Sequence, residues 1–107
     1  MSRGSKSCES VPMEVRRAAD LLERRWQISI IYASLNGVRR FNEFSAAIDG
    51  ISPRMLTERL RELEDAGLLE RRVLPTRPPS VEYLPTKQGA RLRPLIEAMR
   101  DYADTLT

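Results

Sequence analysis

Three residues, Asp49, Gly50 and Ile51, separate two segments of helical apolar periodicity, and no other feature narrows the fold of this chain so far. On one side, Phe41 to Ile48 is long enough for two helical turns. On the other, Ser52-Pro53 opens a longer segment. Glycine adopts the backbone angles of a sharp turn without steric cost. Serine accepts hydrogen bonds from the free N–H groups of a first turn, and proline fits the first helical position, where no N–H is needed. Two helices joined so tightly make a helix-turn-helix.

The remaining punctuation fills in the frame. The spacing predicts helices over Met13 to Arg24, Gln27 to Leu35, Asn42 to Ile48 and Pro53 to Ala66. The ISIIYASL stretch in the second is β-branched enough to suit a strand as well. Leu68 to Leu74 and Ser80 to Leu84 read as strands. Proline cannot donate to a sheet ladder, so PTRPP between them is the exposed loop of a hairpin. A last helix runs from Lys87 to Leu106, interrupted or kinked near Pro94. The expected class is mainly α with a small β-hairpin, a winged helix-turn-helix. Residues 1–11 read as a flexible, basic, serine-rich tail, and 12–107 as one domain including its terminal helices.

Composition removes most enzymes. The 107 residues include no histidine and one cysteine, Cys8. A Ser-His-Asp or Cys-His site cannot form, and a Cys/His zinc site lacks ligands. No cofactor, metal or enzymatic activity is expected. No apolar run spans a bilayer, and the polar start has no signal-peptide character, so a soluble cytoplasmic protein is expected, with no membrane partner. Net charge is +3, a mild lean toward polyanions. Residues 1–40 carry eight basic and four acidic groups, whereas 41–74 carry five and seven. Any nucleic-acid surface must therefore be local.

On a helical wheel, Leu56, Leu60 and Leu63 share the core face of the fourth helix. Arg54, Glu58, Arg61 and Asp65 lie opposite, flanked by Thr57 and Met55. An arginine at the helix start and acids at its end run against the helix dipole, a cost of roughly 0.3–1 kcal/mol per exposed charge. Insertion into a DNA major groove, N-terminus first, gives that order a use. Arg54 reaches a guanine edge or a phosphate, Thr57 a base or a thymine methyl, and Ser52 with the helix N-terminus a phosphate. Arg39 and Arg40, ahead of the third helix, would contact backbone phosphates. Arg77 tops the hairpin loop, and of the adjacent Arg71 and Arg72, which face opposite sides of a strand, Arg72 is preferred for DNA. The competing reading of every one of these groups is a solvated face of mixed charge.

The last helix carries Leu92, Leu95, Ile96, Met99, Tyr102, Ala103 and Leu106 on one stripe. So small a domain has little core left to cover it, which favours a homodimer, with Val15, Ala18 and Leu22 of the first helix contributing. Trp26, Tyr32 and Met99 either line a small-molecule pocket at that interface or pack as plain core, and no ligand is assigned.

These residues resemble a known family. Arg40-Phe41-Asn42-Glu43-Phe44, Gly50-Ile51-Ser52, Leu56-Thr57, Arg59-Leu60, Leu63-Glu64, Gly67-Leu68 and Val81-Glu82-Tyr83 with Thr86 and Gly89 are similar to the motifs of HxlR-type (MarR-like) transcription regulators. The resemblance covers roughly residues 12–105. It implies a winged-helix homodimer on double-stranded operator DNA, with the outer helices forming the dimer. Some relatives sense oxidants or electrophiles through a thiol; Cys8, with Arg3 and Lys6 nearby, is the candidate here, against the plain reading of a tail cysteine. A repressor on a palindromic operator is expected. The alternative is a winged-helix module that binds protein rather than specific DNA.

Overall fold

The computed structural model describes residues 10–106. The chain runs α1 (Met13–Leu22), α2 (Gln27–Leu35), α3 (Phe41–Ala47), α4 (Pro53–Asp65), β1 (Leu69–Leu74), β2 (Ser80–Pro85), α5 (Lys87–Ala90) and α6 (Arg93–Ala103), with a 3-10 turn over Asp104–Leu106. This is a winged helix-turn-helix. The strands pair antiparallel, from Leu69 opposite Pro85 to Leu74 opposite Ser80, and the proline-rich loop between them is exposed.

The ambiguous ISIIYASL stretch is helical. Gln27, Ile30, Ile31, Ala33 and Ser34 of α2 are all buried, so α2 is the central helix, packed against α4 and α6. A helix apolar on most sides is one buried on most sides. Leu56, Leu60 and Leu63 of α4 meet it in the core together with Phe44. Burial of each such side chain contributes about 1.5–3 kcal/mol. Phe44 and Tyr83 pack edge to face, centroids 6.4 Å apart, which ties α3 to the hairpin.

Most element ends fall within one residue of the sequence expectation, and the first and last helices are the informative cases. The first helix stops at Leu22 rather than Arg24, and Trp26 then takes a left-handed conformation (φ 79°), turning the chain into α2. The last helix is interrupted just ahead of Pro94, as its sequence suggests, and so forms two helices. α5 is a single turn whose Thr86 cap accepts from Gly89 N–H, and Pro94 lies in the first turn of α6, where it costs no hydrogen bond. Gly89 is buried with no room for a side chain, because a Cβ there would collide with the Leu68 carbonyl.

Candidate nucleic-acid interface

The turn before α4 is built as its residues require. Gly50 has φ 91°, and the Trp26 indole sits 3.6 Å from where a Cβ would be. Ser52 Oγ accepts from Met55 N–H at 3.1 Å, and Pro53 follows at the first helical position. The side chain of Arg54 is 91% exposed and its Nε lies 3.7 Å from Glu58 one turn on. Thr57 donates its hydroxyl proton to Pro53 O at 2.9 Å. Its oxygen can therefore only accept from a ligand, and its methyl is left for apolar contact. Arg61 is exposed and Met55 is half-buried against the core. Arg54, Thr57, Glu58 and Arg61 thus share the outer surface of α4, and Ser52 sits at its tip.

The start of α3 is set by Glu43. One carboxylate oxygen accepts from Arg39 N–H and Arg40 N–H, each at 3.0 Å. Those two bonds hold its carboxyl below the usual glutamate range, with the Arg40 and Arg39 charges adding to the effect. Arg40 turns toward the hairpin, 3.9 Å from Glu82. Glu82 is the cross-strand neighbour of Arg72, which itself pairs with Glu70 at 3.4 Å. Arg40, Arg72, Glu70 and Glu82 form one mixed-charge cluster where the hairpin meets α3. Arg71 lies opposite Tyr83, on the other face. Arg77 is exposed at the loop tip and enters no ion pair among the described residues. Thr76 Oγ1 donates to Pro78 O at 2.8 Å, holding that loop in shape.

Two expectations need correction. Arg39 is not presented outward for a phosphate. Its guanidinium donates to the carbonyls of Ser34 at 2.9 Å and Val38 at 3.1 Å, bracing the α2–α3 connection. Ile96 is core rather than interface, because it turns inward from α6 and is 6% exposed. Leu22 and Leu92 are half-buried against the same core. The rest of the apolar stripe faces outward: Leu95, Met99, Tyr102, Ala103 and Leu106 at one end of the chain, Val15 and Ala18 of α1 at the other. Cys8 lies outside the described residues.

The main feature missed in the sequence is Arg59. It is buried in the middle of α4; Nε donates to Arg25 O at 2.9 Å and one terminal nitrogen donates to both oxygens of Glu62. Glu62 also pairs with Arg24 at 3.0 Å, and the Arg25 guanidinium lies 4.6 Å over the Trp26 ring. The signal was present: on the wheel Arg59 falls on the apolar arc beside Leu63. Glu62 is thereby committed to holding α4 against the α1–α2 connection.

Among the described residues no group of three or more His, Cys, Asp or Glu could hold a metal ion, and no helix is long and apolar enough to cross a membrane. A family model for HxlR-like helix-turn-helix proteins matches residues 21–107. The chain is 40% identical over 87 residues to the HTH-type transcriptional regulator YvaP of Bacillus subtilis (strain 168), covering 81% of each protein. Among solved structures, the reduced transcriptional regulator YodB from B. subtilis superposes with a TM-score of 0.78 at 38% identity, over 89% of this chain and 93% of that one. The redox regulator HypR in its reduced form gives 0.80 at 36%, over 86% and 91%. With its turn, recognition-type helix and hairpin all in place, the chain belongs to the HxlR-like helix-turn-helix family of transcriptional regulators.

Proposed function

We propose that this regulator represses transcription by binding a palindromic operator as a homodimer. The N-terminal turn of α4 enters the major groove, and the loop of residues 75–80 meets the backbone or minor groove. The observation that carries the reading is the first turn of α4, where a capped, glycine-permitted turn projects a nearly fully exposed Arg54. Arg54 then reads a guanine edge, Thr57 offers its methyl to thymine, and Glu58 either orients Arg54 or accepts from a cytosine amine. Arg40, Arg61, Arg72 and Arg77 supply phosphate contacts.

The dimer rests on α1 and α6. No residue of α1 is buried within its own chain, and Val11, Met13, Val15, Leu95, Met99, Tyr102 and Leu106 are exposed large apolar groups. Exposed apolar surface on this scale marks an interaction site. Two-fold pairing sets the two α4 helices about one DNA turn apart, some 34–36 Å. An effector, redox or small-molecule, is in keeping with HypR being a redox regulator. The reading is tested by selecting bound duplexes from a random pool. Enrichment of an inverted repeat supports it, and a protein that retains random duplexes equally well or not at all refutes it.

A further inference from the structure

α1 rests on its own domain by one end. Its residues from Met13 to Ala18 are exposed, and the apolar side chains that reach the core, Leu21 and Leu22, belong to its last turn. The direction of α1 is therefore set where it ends, in residues 23–26, the connection to α2. α4 grips that connection. Arg59 Nε donates to Arg25 O, and one oxygen of Glu62 accepts from Arg59 at 2.9 Å and pairs with Arg24 at 3.0 Å. The Trp26 indole, next in the chain, lies against Gly50 at the turn that opens α4. One carboxylate thus joins the end of α1 to the recognition-type helix.

We infer that Glu62 is a positioning residue that fixes the spacing between operator half-sites. The inference rests on the homodimeric reading above, in which α1 belongs to the dimer and α4 to the groove. α1 is then a lever about 15 Å long. The two-fold axis holds the lever, so slack at residues 23–26 is passed on to α4. One base pair added between half-sites moves the second by about 3.4 Å and turns it about 35° round the duplex. A joint free to follow that displacement accepts several spacings, whereas a braced joint accepts one. An ion pair as exposed as that of Arg24 is weak by itself. Here it is strengthened because Glu62 is already held, both its oxygens accepting from the buried Arg59, and has little freedom to swing away. Glu62 also lies toward the C-terminal end of α4, away from the turn that enters the groove, so it acts on the angle of the helix and not on a base.

The test is selection of bound duplexes by the full chain from a random pool, with the spacing between half-sites read from the enriched sequences. Two variants loosen the joint from opposite sides. Arg24→Ala leaves the Arg59–Glu62 pair intact, and Glu62→Gln keeps an acceptor for Arg59 but no charge for Arg24. Wild type is expected to enrich a single spacing, and both variants the same half-site sequence at several adjacent spacings. On a repeat lengthened by one base pair, the penalty should be roughly two- to fivefold smaller for the variants than for wild type, the scale of one exposed ion pair. Affinity for a duplex with a single half-site should be unchanged, because one half-site asks nothing of the joint. A loss of stability alone would lower binding to every duplex and leave the spacing narrow. A single spacing kept by either variant overturns the role of Glu62. So does weaker binding of Arg24→Ala to the single half-site with a salt slope reduced by about one, which makes Arg24 a phosphate contact. A wild-type pool without an inverted repeat refutes the homodimer itself, and this inference with it.

Discussion

Arg59 Nε donates to the backbone carbonyl of Arg25 at 2.9 Å, so the middle of the recognition-type helix is bonded to the chain entering α2. Glu62 completes the arrangement by pairing with both Arg59 and Arg24. A buried guanidinium is tolerated when its donors are matched, and removal of one partner strands the others. Arg59→Ala should therefore lower stability by about 2–4 kcal/mol, measured by urea unfolding. Arg59→Lys should rescue little, because an ammonium cannot reproduce the fork that reaches Arg25 O and Glu62 together. A loss below 0.5 kcal/mol, roughly the scale of surface substitutions, would show that the clamp is decorative.

Arg54 makes the opposite case. With its side chain 91% exposed, Arg54→Ala should leave the unfolding midpoint unchanged. It should weaken operator binding by about 1–3 kcal/mol and random-duplex binding much less. Fluorescence anisotropy on both duplexes measures this, and equal losses on the two would rule out base reading by Arg54.

Arg77, at the tip of the hairpin loop, should act without regard to sequence. Arg77→Ala is expected to weaken operator and random duplex alike and to reduce the salt slope by about one. Anisotropy across a salt series tests it; an unchanged slope removes Arg77 from the phosphate contacts.

Gln27 is fully buried, and neither its amide nitrogen nor its oxygen has a hydrogen-bond partner among the described residues. An unmatched buried amide costs about 1–3 kcal/mol. Gln27→Met keeps the length of the side chain and removes both polar atoms. It should raise thermal stability, read by calorimetry, and a lower melting temperature would mean that the amide is satisfied in solution.

Glu43 gives a pH signature. Its folded-state carboxyl is held below the usual glutamate range by the N–H groups of Arg39 and Arg40. The stability it contributes is present above the unfolded value and is lost as pH falls through the folded one. The melting temperature of Glu43→Gln should therefore lie below wild type at neutral pH, and the gap should close as acid protonates the carboxyl. A gap that persists in acid would assign the difference to something other than the carboxylate.

Much of this protein was determined by local sequence. Gly50, Ser52 and Pro53 specify the turn and the start of α4 through allowed backbone angles and capping, which act within a few residues. The Leu56–Leu60–Leu63 spacing selects the buried face, and PTRPP the exposed loop. Only the tertiary structure decided the rest, because it turns on partners distant in the chain. The β-branched stretch in α2 became a helix because packing on several sides outweighs propensity. Ile96 turned inward because core space lay within its reach, and Arg39, an exception in that its partners are near in sequence, because the turn after α2 aims the Ser34 and Val38 carbonyls at its guanidinium. Arg59, charged by sequence, is buried because Arg25 O, 34 positions away, meets its guanidinium, and no periodicity records a hydrogen bond made across that distance.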